Sequence, residues 1–308
     1  MAAPTLDDYR LLRQRRFGAS GAGPAGSRRP KVTLITVALN ARPTLERTIA
    51  SVQGQSFPGF EHVVVDGGST DGTTELLKER LRPCDYWISE ADRGISDAFN
   101  KGIALAGGDY VQIINADDWL SPEQVSVAVQ GLEETRADFV FGDLIFYRSD
   151  RPIFLYLGDP DYRTTIHNRM PALNHPTVLV RRAAFERIGL FDLRYRCAMD
   201  YDWFLRLHVA GGRGVHLPGL IGHMTHDGIS NTRYVRTIRE VEAIAVAHGR
   251  HPVAARMEAL FRIAKTAMSQ RMTAVAAPLY RLVRSRINAS YVPIHTVDFR
   301  GDGTRPFS

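Results

Sequence analysis

The chain predicts an α/β fold: a mostly parallel sheet flanked by helices, followed by a C-terminal helical extension. Three observations carry this. Short, nearly continuous apolar runs such as His62-Val63-Val64-Val65 and Tyr110-Val111-Gln112-Ile113-Ile114 read as strands buried on both faces. They alternate with segments of helical period: Ile95, Ala98, Phe99, Gly102, Ile103 and Ala106 fall on one helical face. Beyond about residue 230 the strand signal stops and helical periodicity takes over.

Taken in order, residues 1–30 read as a flexible basic leader, with residues 18–30 rich in Gly, Ala, Ser and Pro. Gly21 to Gly26 fits GxGxxG, but it precedes the first strand and contains Pro24, so it is a by-product of low complexity. Val32 to Leu39 is the first strand, and Leu45, Ile49 and Val52 mark a helix. His62–Val65 is a strand, Thr73–Leu81 a helix, Tyr86–Ile88 a strand and 95–106 a helix. The strand at 109–114 leads to a helix opened by Ser121 at the N-cap and Pro122 at N1. Phe139–Phe146 and Thr177–Val180 are further strands, and Met199 to Leu207 opens another helix. In the last third Met257, Leu260, Phe261, Ala264 and Met268 share a face opposite Arg262, Lys265 and Ser269, before Pro278 stops or kinks the helix. That apolar face is expected to pack on the main domain, with a membrane surface as the alternative.

Composition sets the bounds. A hydrophobic share of 44% and a charged share of 23% describe an ordinary globular protein, and 308 residues suffice for one large domain plus an appendage. The net charge of +6 is concentrated towards the two termini, which permits phosphorylated substrates or an anionic membrane surface. No recognition motif supports nucleic acid. Two cysteines make no disulfide framework and fit a reducing compartment. No apolar signal segment and no apolar run near 18 residues is present, so the expected location is the cytoplasm, with a peripheral place on the inner face of the membrane as an extension.

Chemistry concentrates at strand ends. Asn115-Ala116-Asp117-Asp118 follows the buried run 110–114 and leaves two carboxylates where open α/β sheets bind ligands. Oxygen donors there suit Mg²⁺ or Mn²⁺, and such a cation suits a diphosphate; the local alternative is a turn leading into the next helix. Asp66-Gly67-Gly68-Ser69-Thr70-Asp71-Gly72-Thr73 also joins a strand to a helix. It lacks the Lys of a P-loop, so ATP hydrolysis is not indicated. Glu90 to Gly102 carries Asp92, Arg93 and Asp97, more charge than capping requires, with Arg93 a candidate phosphate partner. Asp200 and Asp202 open a later helix, where a carboxylate near a metal-diphosphate could take a proton from an incoming hydroxyl. His223-Met224-Thr225-His226 is a further candidate for metal or phosphate.

These motifs, together with Thr36-Val37-Ala38-Leu39-Asn40 and Met199-Asp200-Tyr201-Asp202-Trp203-Phe204-Leu205-Arg206-Leu207, resemble inverting family 2 glycosyltransferases over about residues 31–230, in order and in register. The resemblance implies a GT-A, Rossmann-like domain at 31–232; the periodicity beyond it leaves 233–308 as a helical region, whose basic amphipathic stretch makes a membrane surface or a partner an expectation. It implies a nucleotide-diphosphate sugar donor, with UDP the expected nucleotide, held against Thr36, Asn40, Asp66, Asp92, Arg93, Asp97, Asn100, Asn115 and Ala116. Asp66 would hold the nucleobase. A divalent cation, Mn²⁺ or Mg²⁺, would sit on Asp117, with Asp118 secondary and His226 a further candidate. Asp200 matches the catalytic base, and His175 and Asp202 fall on the acceptor side. Two positions depart from the pattern: Asn115 replaces the first acid of the DXD-like motif, and Met199 replaces the acid usual before the base. The Gln-x-x-Arg-Trp motif of processive synthases is missing. The expected role is therefore a single transfer in bacterial surface-glycan assembly, to a hydroxyl of a glycan or lipid-linked acceptor. Alternatives are a non-catalytic nucleotide-sugar-binding protein and a nucleotidyltransferase. The oligomeric state is open, a dimer included.

Overall fold

Four parallel strands set the centre of the fold in this computed structural model, which describes residues 3–15, 17–18, 30–83, 85–225, 234–275 and 291–293. They are β2 (Val32–Ala38), β3 (Phe60–Asp66), β4 (Tyr86–Ser89) and β5 (Tyr110–Asn115), preceded by the short β1 (Phe17–Gly18). Their spatial order is β4-β3-β2-β5, all parallel, so every carboxyl end lies at one edge. The sheet then becomes mixed. β9 (Leu179–Arg181) runs antiparallel between β5 and β7 (Phe139–Arg148). β10 (Gly214–Thr225) lies parallel to β7 and carries β6 (Trp119–Leu120) on its other side. β8 (Arg151–Tyr156) pairs with β7, and β11 (Tyr291–Pro293) with β8.

Helices cover both faces. They are α1 (Arg42–Gln53), α2 (Thr73–Arg80), α3 (Ile95–Leu105), α4 (Gln124–Thr135), α5 (Tyr162–Thr165), α6 (Arg182–Ile188), α7 (Met199–Val209), α8 (Tyr234–Ala247) and α9 (Pro252–Val275). The period-2 alternation of β2 divides it between two layers. Ile35 and Val37 join a core with Phe99 and Ile103 of α3 and Trp203 of α7, whereas Val32 and Leu34 join one with Val125 and Leu132 of α4. Burial on both sides explains the nearly unbroken apolar runs.

Three expectations need correction. Residues 6–15 of the expected flexible leader form a 3₁₀ helix against α3. With three residues per turn, Leu6, Tyr9 and Leu12 eclipse one another, and all three pack into the main core. The residues at 19–29 lie outside the described set. Secondly, Ser121 does not cap a helix: α4 starts at Gln124, and the Ser121 hydroxyl donates instead to the Ile221 carbonyl at 3.0 Å. Thirdly, the apolar face of α9 does not pack on the domain. Ala255 and Ala259 are the buried contacts, while Met257, Leu260, Phe261 and Met268 are 64%, 49%, 66% and 63% exposed. Pro278 lies outside the described residues. Among the described residues no helix is long and apolar enough to cross a membrane.

The β7–β10 seam depends on Gly142. Its N–H donates to Thr177 Oγ1 at 2.8 Å, and any Cβ there would overlap the Leu220 carbonyl, where the register of β10 is irregular. Backbone cannot step aside as a side chain can. Gly142→Ala should therefore destabilise the protein by about 3 kcal/mol, read from urea denaturation; an unchanged midpoint would show that the seam relaxes.

Candidate active site

The carboxyl edge of the parallel strands collects the sequence-predicted acids. Asp66 ends β3 and is wholly buried. Its carboxylate accepts N–H groups of Gly68 and Ser69 at 3.2 and 3.0 Å and the Ser89 hydroxyl at 2.6 Å, and also the Ser69 hydroxyl. These bonds hold the turn at Gly67–Ser69. Asn40, in the left-handed region at φ 51°, ties the neighbouring loop to it: its N–H donates to Ser69 Oγ and its side-chain oxygen accepts from Thr70 N–H. Asp71 accepts the N–H groups of Thr73 and Arg42, linking the starts of α2 and α1. One Asp92 oxygen accepts from Gly94 N–H at 2.7 Å, and the other lies against Gly67, where any Cβ would collide with it. Asp92 therefore borders the turn that Asp66 holds.

Asp97 lies at the start of α3 and is 3% exposed. Tyr9 donates to it at 2.6 Å, and Arg93 donates through both its backbone and its guanidinium. Burial opposes ionisation, but these hydrogen bonds and the Lys101 charge keep Asp97 below the usual carboxylate range. Burial and Asp97 push the Tyr9 hydroxyl up to about 12. Lys101 is buried, reaching Glu90 at 2.9 Å and the Ala91 carbonyl at 3.0 Å, and so holds the loop that carries Asp92.

Asn115 ends β5, and its amide donates to Asp118 Oδ2 at 3.1 Å. Asn115 Oδ1 and Asp118 Oδ1 are both buried and have no hydrogen-bond partner. Ala116 is buried and Asp117 partly so. Burial raises the Asp117 pKa; burial and the Asp117 charge push Asp118 well above its ordinary value. The turn is pinned by its carbonyls: Thr225 donates to Asp117 O at 2.9 Å and Thr48 to Asp118 O at 2.7 Å. The nearby cation is Arg47, whose guanidinium stacks 3.5 Å from the Trp119 ring centroid and bonds Asp150 at 2.7 Å. His223 stacks on the same indole and bonds Ser121 and Tyr147. Burial, then the Arg47 charge, lowers its pKa to about 4, so it is a neutral packing group at neutral pH.

Asp200 lies in the first turn of α7, its carboxylate accepting the Tyr201 N–H at 2.8 Å. Burial raises its pKa to about 6, and Glu240 adds repulsion. The chain leading to it is fastened to α3, with Ser96 donating to the Tyr195 carbonyl and Gly94 facing Arg196. Beside this turn lies a cavity of about 610 Å³, lined by Arg194, Tyr195, Tyr234, Val235, Arg236, Arg239, Glu240 and Ala243.

Four sequence-predicted site residues are placed elsewhere. Thr36 is fully buried in β2 and hydrogen-bonded to His62. Asn100 spends both amide groups on the backbone of Phe191. Asp202, roughly 200° round the helix from Asp200, binds Arg206 at 2.9 Å, and Arg206 in turn holds the carbonyls of Ile188 and Leu190. His175 stacks on Phe99 with centroids 5.2 Å apart, and burial lowers its pKa to about 4. His226 lies outside the described residues. Sequence reasoning missed Tyr9, Arg47, Thr48, Trp119 and Glu240. Trp119 directly follows the acid pair and could have been found from that; the others are brought in by tertiary packing and carry no local signal.

The parallel sheet carries acids along its carboxyl edge and a further acid stands at the start of α7, on a fold whose structural neighbours are GT-A type sugar-transfer enzymes. Residues 33–189, half of the chain, match Glycosyl transferase family 2, and the chain belongs to that family: it is a glycosyltransferase. It is 32% identical over 186 residues to a PGL/p-HBAD biosynthesis glycosyltransferase of Mycobacterium tuberculosis, covering 58% of this chain and 69% of that protein. With an uncharacterised glycosyltransferase of the same organism it shares 41% over 182 residues, covering 58% and 68%. In structure it resembles a mannosyltransferase of Pyrobaculum calidifontis in complex with GDP-Man and Mn²⁺, at TM-score 0.58 and 20% identity over 92% of this chain and 87% of that one. It also resembles S. aureus TarS 1-349 in complex with UDP-GlcNAc, at TM-score 0.54 and 17% identity over 73% and 69%.

The Asp202 placement has a direct test. Asp202→Asn should lower the melting temperature by loosening Arg206 while leaving turnover per folded molecule unchanged, as measured by calorimetry beside a donor-turnover assay. Lost turnover at unchanged stability would return Asp202 to the acceptor side.

Proposed function

We propose that this protein is an inverting, non-processive glycosyltransferase that moves one sugar from a nucleotide-diphosphate sugar, with UDP the expected nucleotide, to a hydroxyl of a glycan or lipid-linked acceptor. The observation that carries this reading is the pair of buried, partnerless oxygens on Asn115 and Asp118 beside Asp117. Buried acceptors without donors are costly, and a hard cation satisfies them. Among the described residues no cluster of three His, Cys, Asp or Glu side chains is available to hold a metal. The two carboxylates suit an ion such as Mn²⁺ or Mg²⁺, which takes one or two carboxylates and completes its shell with phosphate and water. Asp117 and Asp118 would hold it, with Asn115 Oδ1 adjacent; when bound, it neutralises charge on the leaving diphosphate. The mannosyltransferase neighbour holds Mn²⁺ with GDP-Man, which supports the same reading.

The chain's own residues supply the rest. Asp66 and Asp92 border the nucleotide, Asp66 acting through the turn that it holds. Asp97 and Arg93 fix the entry to α3. Asp200 takes the proton from the acceptor hydroxyl as that oxygen attacks the anomeric carbon and the diphosphate leaves, so the configuration inverts in one step. A base with a pKa near 6 is ionised at neutral pH and still basic enough to accept a proton. The cavity beside Glu240 offers Arg239 to a phosphate on a lipid-linked acceptor.

The exposed face of α9 supports a peripheral place on the inner face of the membrane. Its exposed stripe of Met257, Leu260, Phe261 and Met268 has Arg256 and Lys265 on either side at 100° per residue, a geometry that suits an anionic bilayer surface.

These assignments predict separable losses. Asp200→Asn should lower kcat by ~10²–10⁴-fold without weakening donor binding, and wild-type kcat should fall as pH drops through about 6, where Asp200 protonates. Retained turnover in Asp200→Asn would move the base elsewhere. Asp117→Ala should remove the part of UDP-GlcNAc or GDP-mannose binding that depends on Mn²⁺, measured by thermal shift; equal shifts with and without Mn²⁺ in the wild type would sink the metal assignment. The protein should sediment with phosphatidylglycerol vesicles and not with phosphatidylcholine ones, and Leu260→Ser with Phe261→Ser should release it. Equal recovery in both supernatants would leave α9 a soluble face.

A further inference from the structure

We propose that Glu240, on the C-terminal helix α8, is a positioning residue for Asp200. The proposal rests on Asp200 as the base and adds what holds it in place. Oε2 of Glu240 accepts three successive backbone N–H groups, from Arg196, Cys197 and Ala198, at 3.0, 2.7 and 3.0 Å. Its other oxygen accepts from Arg236 at 2.9 Å. These amides run into the start of α7, where the N-cap, Ala198, has no side chain with which to cap the helix. Orphan donors at a helix start need acceptors, and a carboxylate there also meets the positive end of the helix dipole. The cap therefore comes from more than 40 residues downstream, beyond the family-matched residues 33–189. Asp200 is two residues past Ala198 and is oriented by the turn so fixed. Its environment is set by burial, by the Tyr201 N–H, and by the Glu240 charge with Arg236 paired to it.

The test uses the full chain with Glu240→Ala and Glu240→Gln, the latter keeping one acceptor oxygen in case the former folds poorly. Amide exchange across 196–198 should accelerate about ten-fold in Glu240→Ala, the loss expected when hydrogen bonds worth about 1.4 kcal/mol are removed. Release of UDP from UDP-GlcNAc, or of GDP from GDP-mannose, with Mn²⁺ should slow about 10- to 100-fold in kcat with KM unchanged. In Glu240→Gln the acid limb of the profile should move to lower pH, because a negative charge beside Asp200 is gone. A purely structural role would move neither KM-independent kcat nor the limb. In the Asp200→Asn background, Glu240→Ala should cost nothing further. An inactive Asp200→Asn beside a Glu240→Ala with wild-type exchange, kcat and profile overturns the brace alone. Full turnover in Asp200→Asn overturns the base and this proposal with it.

Discussion

Carboxylates gathered along one edge of a parallel sheet repel one another, and low-dielectric surroundings make the repulsion worse. The rest of the site is arranged around that constraint. Asp66 is compensated by backbone amides and two hydroxyls, and Asp97 by Tyr9, Arg93 and Lys101. Asp202 is moved out of the group altogether and neutralised by Arg206. The acids left with least compensation are Asp117, Asp118 and Asp200, and each has a raised pKa. Acids whose charge the protein has already balanced serve the architecture, and those it has left unbalanced are available for chemistry.

The balance also explains the positions of small and positively charged residues. Gly67 is small because Asp92 lies against it. Arg47 lies over the Trp119 ring and is pinned by Asp150, which keeps a positive charge near the acid pair without closing an ion pair on it. Arg47 thus moderates the repulsion there without itself taking up a carboxylate oxygen.

Much of the first half was legible in the sequence because its signals are local. Apolar runs gave β2 to β5, the 3.6 period gave α3, and acids at strand ends marked Asp66 and Asp117. What escaped was tertiary. Thr36 looks like a strand-end polar group, but in β2 its side chain is turned to His62 inside the sheet. Asn100 fits a polar helix face, but its amide matches the backbone of Phe191, 91 residues later. Ser121-Pro122 has good capping chemistry, but the need to fasten β10 claimed the hydroxyl. The apolar stripe of α9 was readable from its period, whereas the side that would face outward was not, because two small alanines make the closer contact with the domain.

The Tyr9 hydroxyl on Asp97 and the Glu240 carboxylate on the 196–198 amides share a consequence for where this enzyme can be cut. The stretch that reads as a glycosyltransferase domain, 31–232, excludes both donor and cap. Trimmed to that stretch, the protein would keep β2 to β10 and most of its core while leaving an ionised Asp97 short of one partner and an α7 with an uncapped start. The cooperative unit is thus wider than the recognisable one, and segments at opposite ends of the chain fasten the same carboxyl edge of the fold.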